Sequence, residues 1–382
     1  MLYHFFYWLT DGNLNYAYGS PWFRAVMAVL VAFFVVWAAG PPVIRKLIAL
    51  KIGDKPEFDH ATLNRMTRGK ENTPTMGGIL IALSIAFTVL LLADLGNFYI
   101  VLGLFCLVWL AGLGSIDDWL KLTARRRMGT RDGLRMWEKL VFQVALGILL
   151  AFFIYRYGEA NAFRGRWFEV EAHFSPYYNV LNIPFYKHAL TTLSLPAFYV
   201  IAVVVISGTS NAVNLTDGMD GLASGCMALA AFAFMGLAIV IGNHDVAARL
   251  GFNHILDADE LAVLCGAMMG ACLGFLWYNA YPARVFMGDT GSLPLGGLIG
   301  YVAIVTRLEL WLFIVGGVFV IEAVSVILQI FHYKTTGRRL FRCAPLHHHY
   351  HLGGSTETQV VMRFWLLAAL FAAFSLATIK LR

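Results

Sequence analysis

Charge is what this sequence has least of. Asp, Glu, Lys and Arg make up 14% of its 382 residues, against about a quarter in ordinary soluble domains, while 59% are hydrophobic. With a mean hydropathy of +0.67, such a chain is not an ordinary water-soluble globule. Cysteine is also sparse. Cys106, Cys226, Cys265, Cys272 and Cys343 show no C-x-x-C spacing, and the first four lie in apolar blocks, so packing thiols fit better than disulfides or metal ligands. No Walker phosphate loop, Rossmann glycine fingerprint or G-x-S-x-G elbow occurs, which argues against the nucleotide and hydrolase folds built on them. No charged segment precedes the first apolar run, whose first basic residue is Arg24, so no cleavable signal peptide is expected. Internal repeats and low-complexity linkers are missing too, which makes one membrane domain over residues 1–382 the economical reading.

What the chain does have is about ten apolar runs of bilayer-spanning length. They fall near 22–44, 76–94, 97–117, 138–157, 192–210, 219–241, 261–280, 292–307, 310–331 and 361–379. The expected fold is therefore all-α and polytopic. The formal net charge of +6 needs no nucleic acid, because basic loops follow from membrane topology. Lys and Arg cluster after the first run (Arg45, Lys46, Lys51, Lys55, Arg65, Arg68, Lys70), the third (Lys121, Arg125, Arg126, Arg127, Arg131, Arg135, Lys139) and the ninth (Lys334, Arg338, Arg339, Arg342). The gap after the second run has none, and that after the sixth only Arg249. This alternation puts the amino terminus outside and the odd-numbered gaps in the cytoplasm. Arg164, Arg166 and Lys187 in the 158–191 gap run against it, as do Lys380 and Arg382, without outweighing the clusters. In the outside 158–191 gap, Trp167–Glu171 and Tyr178–Ile183 could pair as a short β-hairpin.

Five polar stretches stand out, all on the predicted cytoplasmic side. Lys70-Glu71-Asn72-Thr73-Pro74-Thr75-Met76-Gly77-Gly78 opens the second run, where a first-turn proline and exposed amides suit an anion within reach of Lys70. An ordinary helix start with a snorkelling lysine is the rival reading. Asp117 and Asp118 end the third run, and Asp117 shares a helix face with Lys121. Two carboxylates there hold Mg²⁺ through its waters or divide into a proton acceptor and an ionised partner; the rival is a helix end where charge costs little. Asn211, Asn214 and Asp217 repeat every three residues, with Asp220 following and Gly218 and Gly221 allowing close approach to a ligand. Asp289, flanked by Gly288 and Gly291, is a candidate metal ligand, and Phe286 is either a stacking ring or an interface aromatic. His347, His348 and His349 point in different directions on a helix, so one zinc ion does not take all three. A metal-binding tract remains a rival to imidazoles that bond a phosphate. The whole inventory suits Mg²⁺-assisted phosphoryl transfer between a soluble nucleotide and a lipid.

In motif order and number of runs the chain resembles, nearly end to end, the bacterial phospho-N-acetylmuramoyl-pentapeptide transferases among the polyprenyl-phosphate sugar-1-phosphate transferases. The residues that carry the resemblance are Thr73–Gly78, Asp117-Asp118-x-x-Lys121, Asn211-x-x-Asn214-x-x-Asp217-Gly218-x-Asp220-Gly221-Leu222, Phe286–Ser292 and Ala344–His349. Three consecutive histidines after Ala-Pro-Leu favour the muramoyl branch over the N-acetylhexosamine branches. The resemblance implies transfer of phospho-MurNAc-pentapeptide from UDP-MurNAc-pentapeptide to undecaprenyl phosphate, giving lipid I and UMP with Mg²⁺. It further implies ten helices in the bacterial inner membrane, a cytoplasmic site and, frequently, a homodimer. Carried over residue by residue, Asp117, Asp118 and Asp289 are the catalytic and Mg²⁺-holding candidates, Asp289 first for the metal. Lys70, Thr75, Asn211, Asn214, Asp217, Gly218, Asp220, Phe286, Gln329, His347, His348 and His349 become nucleoside and diphosphate contacts, with Lys121 and Lys139 near the phosphates. The departures are His351, where the family usually has an acid, and Gly353-Gly354-Ser355-Thr356, where it has a more basic, Trp-bearing stretch. A cation-coupled transporter is the competing class, but its ion sites belong near the midplane with internal symmetry, and here charge gathers at one face.

Overall fold

A computed structural model describes residues 1–50, 73–124, 133–167 and 177–379, with backbone alone at 124 and 162–167. Its helices are α1 (Leu2–Leu9), α2 (Pro21–Ala49), α3 (Gly78–Leu92), α4 (Phe98–Ala124), α5 (Met136–Trp167), α6 (Leu195–Thr216), α7 (Leu222–Gly242), α8 (His244–Leu250), α9 (Leu261–Asn279), α10 (Asp289–Val305), α11 (Leu312–Val315), α12 (Gly317–Thr336), α13 (Leu346–Leu352) and α14 (Glu357–Ala377). Among the described residues, eight helices are long and apolar enough to cross a membrane: α2, α4, α5, α6, α7, α9, α12 and α14. The expected second and eighth runs become the shorter apolar helices α3 and α10, and the ninth is broken at Gly316 into α11 and α12. The all-α polytopic reading is borne out.

Leu-, Val-, Ile- and Ala-rich runs form these helices because lipid leaves the backbone no partner but itself. Which of them become the core is decided by small residues. Every residue of α10 is buried, and five of its seventeen are Gly or Ala. Large neighbours can therefore close around it: α4 and α6 flank it along its length, and α3 and α7 touch it. At Gly114 of α4 a Cβ would collide with the Asp289 carbonyl, so only glycine lets these two helices cross where they do. α2, α7 and α3 pack around α9 in the same manner. Outward faces of α2, α4, α5, α12 and α14 remain apolar and exposed, as at Phe34, Val108, Phe142, Phe331 and Leu370, which is the composition of a surface solvated by lipid.

The sheet differs from its sequence expectation in one partner. Val180–Leu181, inside the predicted 178–183 strand, pairs antiparallel with Thr191–Thr192, in the register Val180 to Thr192. The other predicted strand does not supply the partner: Trp167 ends α5 instead, and 168–171 lie outside the described residues.

One buried charge pair fastens the start of α2 to the bundle. Arg24 of α2 ion-pairs with Glu260 and lies over the Tyr3 ring at 4.5 Å, while Glu260 also accepts the Asp94 amide at 2.6 Å. Breaking one half of such a pair strands the other charge, a loss of about 3–5 kcal/mol. Arg24→Ala is therefore expected to lower the thermal midpoint in detergent micelles, and Arg24→Ala with Glu260→Gln to recover part of that loss. Equal midpoints for Arg24→Ala and the parent would show that the pair contributes nothing.

Candidate functional site

Each helix that ends or begins near Asp289 brings one polar stretch with it. α4 runs past the predicted 117 to Ala124, so Asp117 and Lys121 are one helical turn apart and ion-paired at 2.7 Å. α6 likewise continues past 210 to Thr216, which puts Asn211 and Asn214 on one face. α10 begins at Asp289 itself, and Gly288 before it has φ +71°, a left-handed turn that favours glycine. Backbone hydrogen bonds then join two stretches far apart in the sequence, 74–78 and 286–287. The Phe286 amide donates to the Pro74 carbonyl (2.8 Å), and the Gly77 and Gly78 amides donate to the carbonyls of Phe286 (2.8 Å) and Met287 (2.9 Å).

The two adjacent aspartates face different tasks. Asp118, buried, accepts hydrogen bonds from the Asp289 amide (3.2 Å), the Thr290 amide (2.9 Å) and the Thr290 hydroxyl (2.6 Å). It caps α10 from outside, where the free amides and positive end of a helix favour a carboxylate. Asp117, also buried, accepts the Leu134 amide at 2.7 Å and takes both lysines on Oδ2: Lys121 at 2.7 Å and Lys139 at 2.8 Å. The same lysines reach Asp289, Lys139 at 2.5 Å on Oδ2 and Lys121 at 3.3 Å on Oδ1. Asp117, Asp118 and Asp289 each offer an oxygen within 4.8 Å of the other two, and no other three His, Cys, Asp or Glu side chains gather in this way among the described residues. Three carboxylates and two ammoniums thus share one small, largely buried volume. An all-oxygen donor set of this kind fits a hard divalent cation.

The other candidates surround this core at different distances. Asp217, half-buried just past α6, is pushed up to about 7 by burial and by the carboxylates of Asp289 and Asp118, against the Gly288 amide. Asn214 accepts the Ser292 hydroxyl (3.2 Å), which is shared with the Gly288 carbonyl (3.0 Å). Thr75 is buried beside Gly288 and Asp118. Asn211 is turned back into the bundle, donating to Gln143 of α5 (2.7 Å) and the Ser207 carbonyl (2.8 Å). Asp220 braces a loop by accepting the Ala283 amide (2.9 Å), and Phe286 is half-buried between Val285 and Met287. His347 is wholly buried, packs on Gly218 and stacks near His348 with ring centroids 4.2 Å apart. His349 points elsewhere, accepting the Arg342 amide at 3.1 Å. Gln329 holds the loop at Leu340 and Phe341 through its own oxygen, at 3.1 and 2.8 Å. Lys70 lies outside the described residues.

Two further participants are not among the sequence candidates. Glu322, fully buried in α12, accepts the His347 amide at 3.2 Å and lies 3.3 Å from its Nδ1. Asn279 receives the Gly221 amide (3.0 Å) and donates to the Val285 carbonyl (2.9 Å), tying the turns before α7 and α10 together. A carboxylate or amide inside an apolar run was the available clue, since such groups are costly unless employed. The divergent 351–356 stretch is ordered locally: His351 Nδ1 bonds the Ser355 carbonyl (3.0 Å), and Thr356 with Gln359 forms a capping box on α14.

Two expectations follow. Asp118→Ala should lower the thermal midpoint by the equivalent of about 1–3 kcal/mol and clearly more than Asp117→Ala, because only Asp118 closes a helix end; midpoints in the reverse order would contradict the division of tasks. For Asp217 the folded pKa is above the unfolded one, so its ionisation costs stability increasingly as pH rises from about 4 to about 7. Asp217→Asn should therefore raise the midpoint in metal-free buffer, by about 2 °C or more at pH 8 and less at pH 5. A gain independent of pH would refute this.

Comparison with known proteins agrees with the geometry. The model of glycosyl transferase family 4 matches residues 100–307, and a phospho-N-acetylmuramoyl-pentapeptide-transferase signature matches 70–81. Among similar curated proteins are phospho-N-acetylmuramoyl-pentapeptide-transferases of Desulforapulum autotrophicum (40% identity, all of both chains) and Thermodesulfovibrio yellowstonii (42%, all of both chains). That of Desulfatibacillum aliphaticivorans is 42% identical over 94% of each chain.

Proposed function

Because the chain belongs to the phospho-N-acetylmuramoyl-pentapeptide-transferase family, we propose that it moves phospho-MurNAc-pentapeptide from UDP-MurNAc-pentapeptide to undecaprenyl phosphate. The products are lipid I and UMP, and the setting is the cytoplasmic face of a bacterial inner membrane. The observation that carries this reading is the meeting of Asp117, Asp118, Asp289, Lys121 and Lys139 at one end of a lipid-facing bundle. The basic clusters after the first, third and ninth runs favour the cytoplasm for that end.

In the reaction, an oxygen of the lipid phosphate bonds the phosphorus next to the sugar, and the bond from that phosphorus to the bridging oxygen breaks. UMP leaves with the electron pair. A phosphate monoester is largely dianionic near neutral pH, its second pKa being about 6, so the attacking oxygen needs little help losing a proton. What it needs is positioning and a place for negative charge. Lys121 and Lys139 supply two ammoniums, and Asp117 holds both by one oxygen while the Leu134 amide takes the other. We assign Asp117 to aiming the two lysines. Asp289 and Asp117, with Asp118 as third donor, would hold Mg²⁺, which when bound would neutralise the diphosphate oxygens. His347, fixed by Glu322 and set against Gly218, and the neighbouring His348 are assigned to the nucleotide phosphates.

The test is UMP release by the purified protein from UDP-MurNAc-pentapeptide and undecaprenyl phosphate, with a UDP-GlcNAc donor in parallel. Release should require the muramoyl donor, stop with EDTA, return with Mg²⁺, and fall by about 10³-fold or more in Asp289→Asn with the fold intact. Equal turnover of the GlcNAc donor would move the chain to the hexosamine branch. EDTA-resistant turnover would remove the metal.

A further inference from the structure

One helical turn from the charged cluster, a row of hydrogen bonds crosses three helices. Gln143 of α5 is fully buried. Its Oε1 accepts the Asn211 side-chain amide at 2.7 Å, and its Nε2 donates to the Ser210 hydroxyl at 3.1 Å. Ser210, also fully buried, donates in turn to the Leu293 carbonyl of α10 at 3.1 Å, and Asn211 donates to the Ser207 carbonyl at 2.8 Å. A carbonyl can only accept, so the Leu293 end fixes the direction of the row. Gln143 is thereby held with its nitrogen towards Ser210 and its oxygen towards Asn211.

The helices joined in this way are the ones that carry the site, each at the same spacing. Lys139 stands four residues before Gln143, Asp289 four before Leu293, and Asn214 four after Ser210. Four residues are about one turn, roughly 6 Å along the axis and on the same face. We propose that Gln143, acting through Ser210 and Asn211, is a positioning residue that sets Lys139 at the height and rotation at which it meets Asp117 and Asp289. The assignment rests on the transfer reaction proposed above.

Two observations favour positioning over packing alone. Leu140, Val141 and Phe142, the residues leading to Gln143, are exposed on the apolar surface, and α5 packs mainly along α6. Lipid accepts such side chains as readily as the protein interior does, so apolar contact fixes the rotation of a lipid-facing helix weakly. A buried amide fixes it strongly: slid by one residue, about 1.5 Å and 100°, it loses partners that hydrocarbon cannot replace. The second observation is that α6 and α10 touch through their backbones at this level. A Cβ on Gly296 would collide with the Thr209 carbonyl and the Ser210 Cα. Ser210 is thus fixed relative to α10, and Gln143 refers α5 to that fixed point. Lys139 reaches acids on two other helices, α4 and α10, so its placement needs such a reference.

UMP release by the full chain in detergent micelles, from UDP-MurNAc-pentapeptide and undecaprenyl phosphate, tests this. Gln143→Met keeps the side chain's length without its hydrogen bonds, and Ser210→Ala removes the link to Leu293. Each should lower kcat about tenfold or more, as a displaced charged group does, while the donor's KM stays within about twofold and thermal melting shows a folded protein. The two changes cut one row, so the double variant should lose no more than about twofold beyond the worse single variant. In single turnovers, adding Gln143→Met to Lys139→Ala should cost less than about twofold, because no ammonium is left to aim. Unchanged kcat in Gln143→Met and Ser210→Ala, losses that multiply in the double variant, or an undiminished loss in the Lys139→Ala background would each overturn the assignment. Ser210→Ala, the smaller change, decides if Gln143→Met does not fold. A parent chain that releases no UMP overturns the transfer reading and this assignment with it, whereas an active parent with unaffected variants overturns the assignment alone.

Discussion

The site depends on one buried contact, the carboxylate of Asp118 against the first amides of α10. α10 is covered on every side, and the free amides at the start of a buried helix must find acceptors inside the protein. Asp118 supplies them, and in doing so fixes where Asp289 begins the helix and where its carboxylate stands. The lysines, Asp117 and the glycine turn at Gly288 then take their positions from Asp289. Chemistry is arranged around a helix end because that is the one place in an apolar bundle where backbone dipoles lack partners.

The same contact explains what could be read in advance. Long apolar runs and polar stretches at their ends were legible because lipid forbids scattered charge, so Asp117, Asp118 and Asp289 announced themselves by residue type alone. Their separate tasks were not legible. Consecutive helix positions differ by about 100° in direction, and only the packing of α4 on α10 says which aspartate meets amides and which meets lysines. Gln143 and Glu322 stayed hidden for the same reason: each acquires meaning from a residue on another helix. His349 shows the converse, since a histidine beside two others in sequence turns to a neighbouring loop once α13 sets its direction. Of the short sheet, the strand at Val180–Leu181 was legible in its alternation, while its partner Thr191–Thr192 is too short to show one.

Electrostatically the two ends of the bundle use opposite strategies. Near Asp289, acids and lysines share oxygens, so each cation is held by more than one anion and a ligand can enter by exchanging partners. At the other end, Arg24 and Glu260 form a closed pair with neighbours already assigned, which suits a fixed fastening. A crowded, redistributable set of charges is the cheaper arrangement where substrates arrive carrying charge of their own.

Helix length adds a last consequence. α3 and α10, which meet at the site, are 15 and 17 residues long, about 22 and 26 Å, against a hydrocarbon layer of about 30 Å. Neither helix is long enough to cross that layer alone, and the two are joined at their starts, where the Gly78 amide donates to the Met287 carbonyl (2.9 Å). The joint is therefore held by its neighbours in the protein, which leaves the shape of the site independent of the lipid around it.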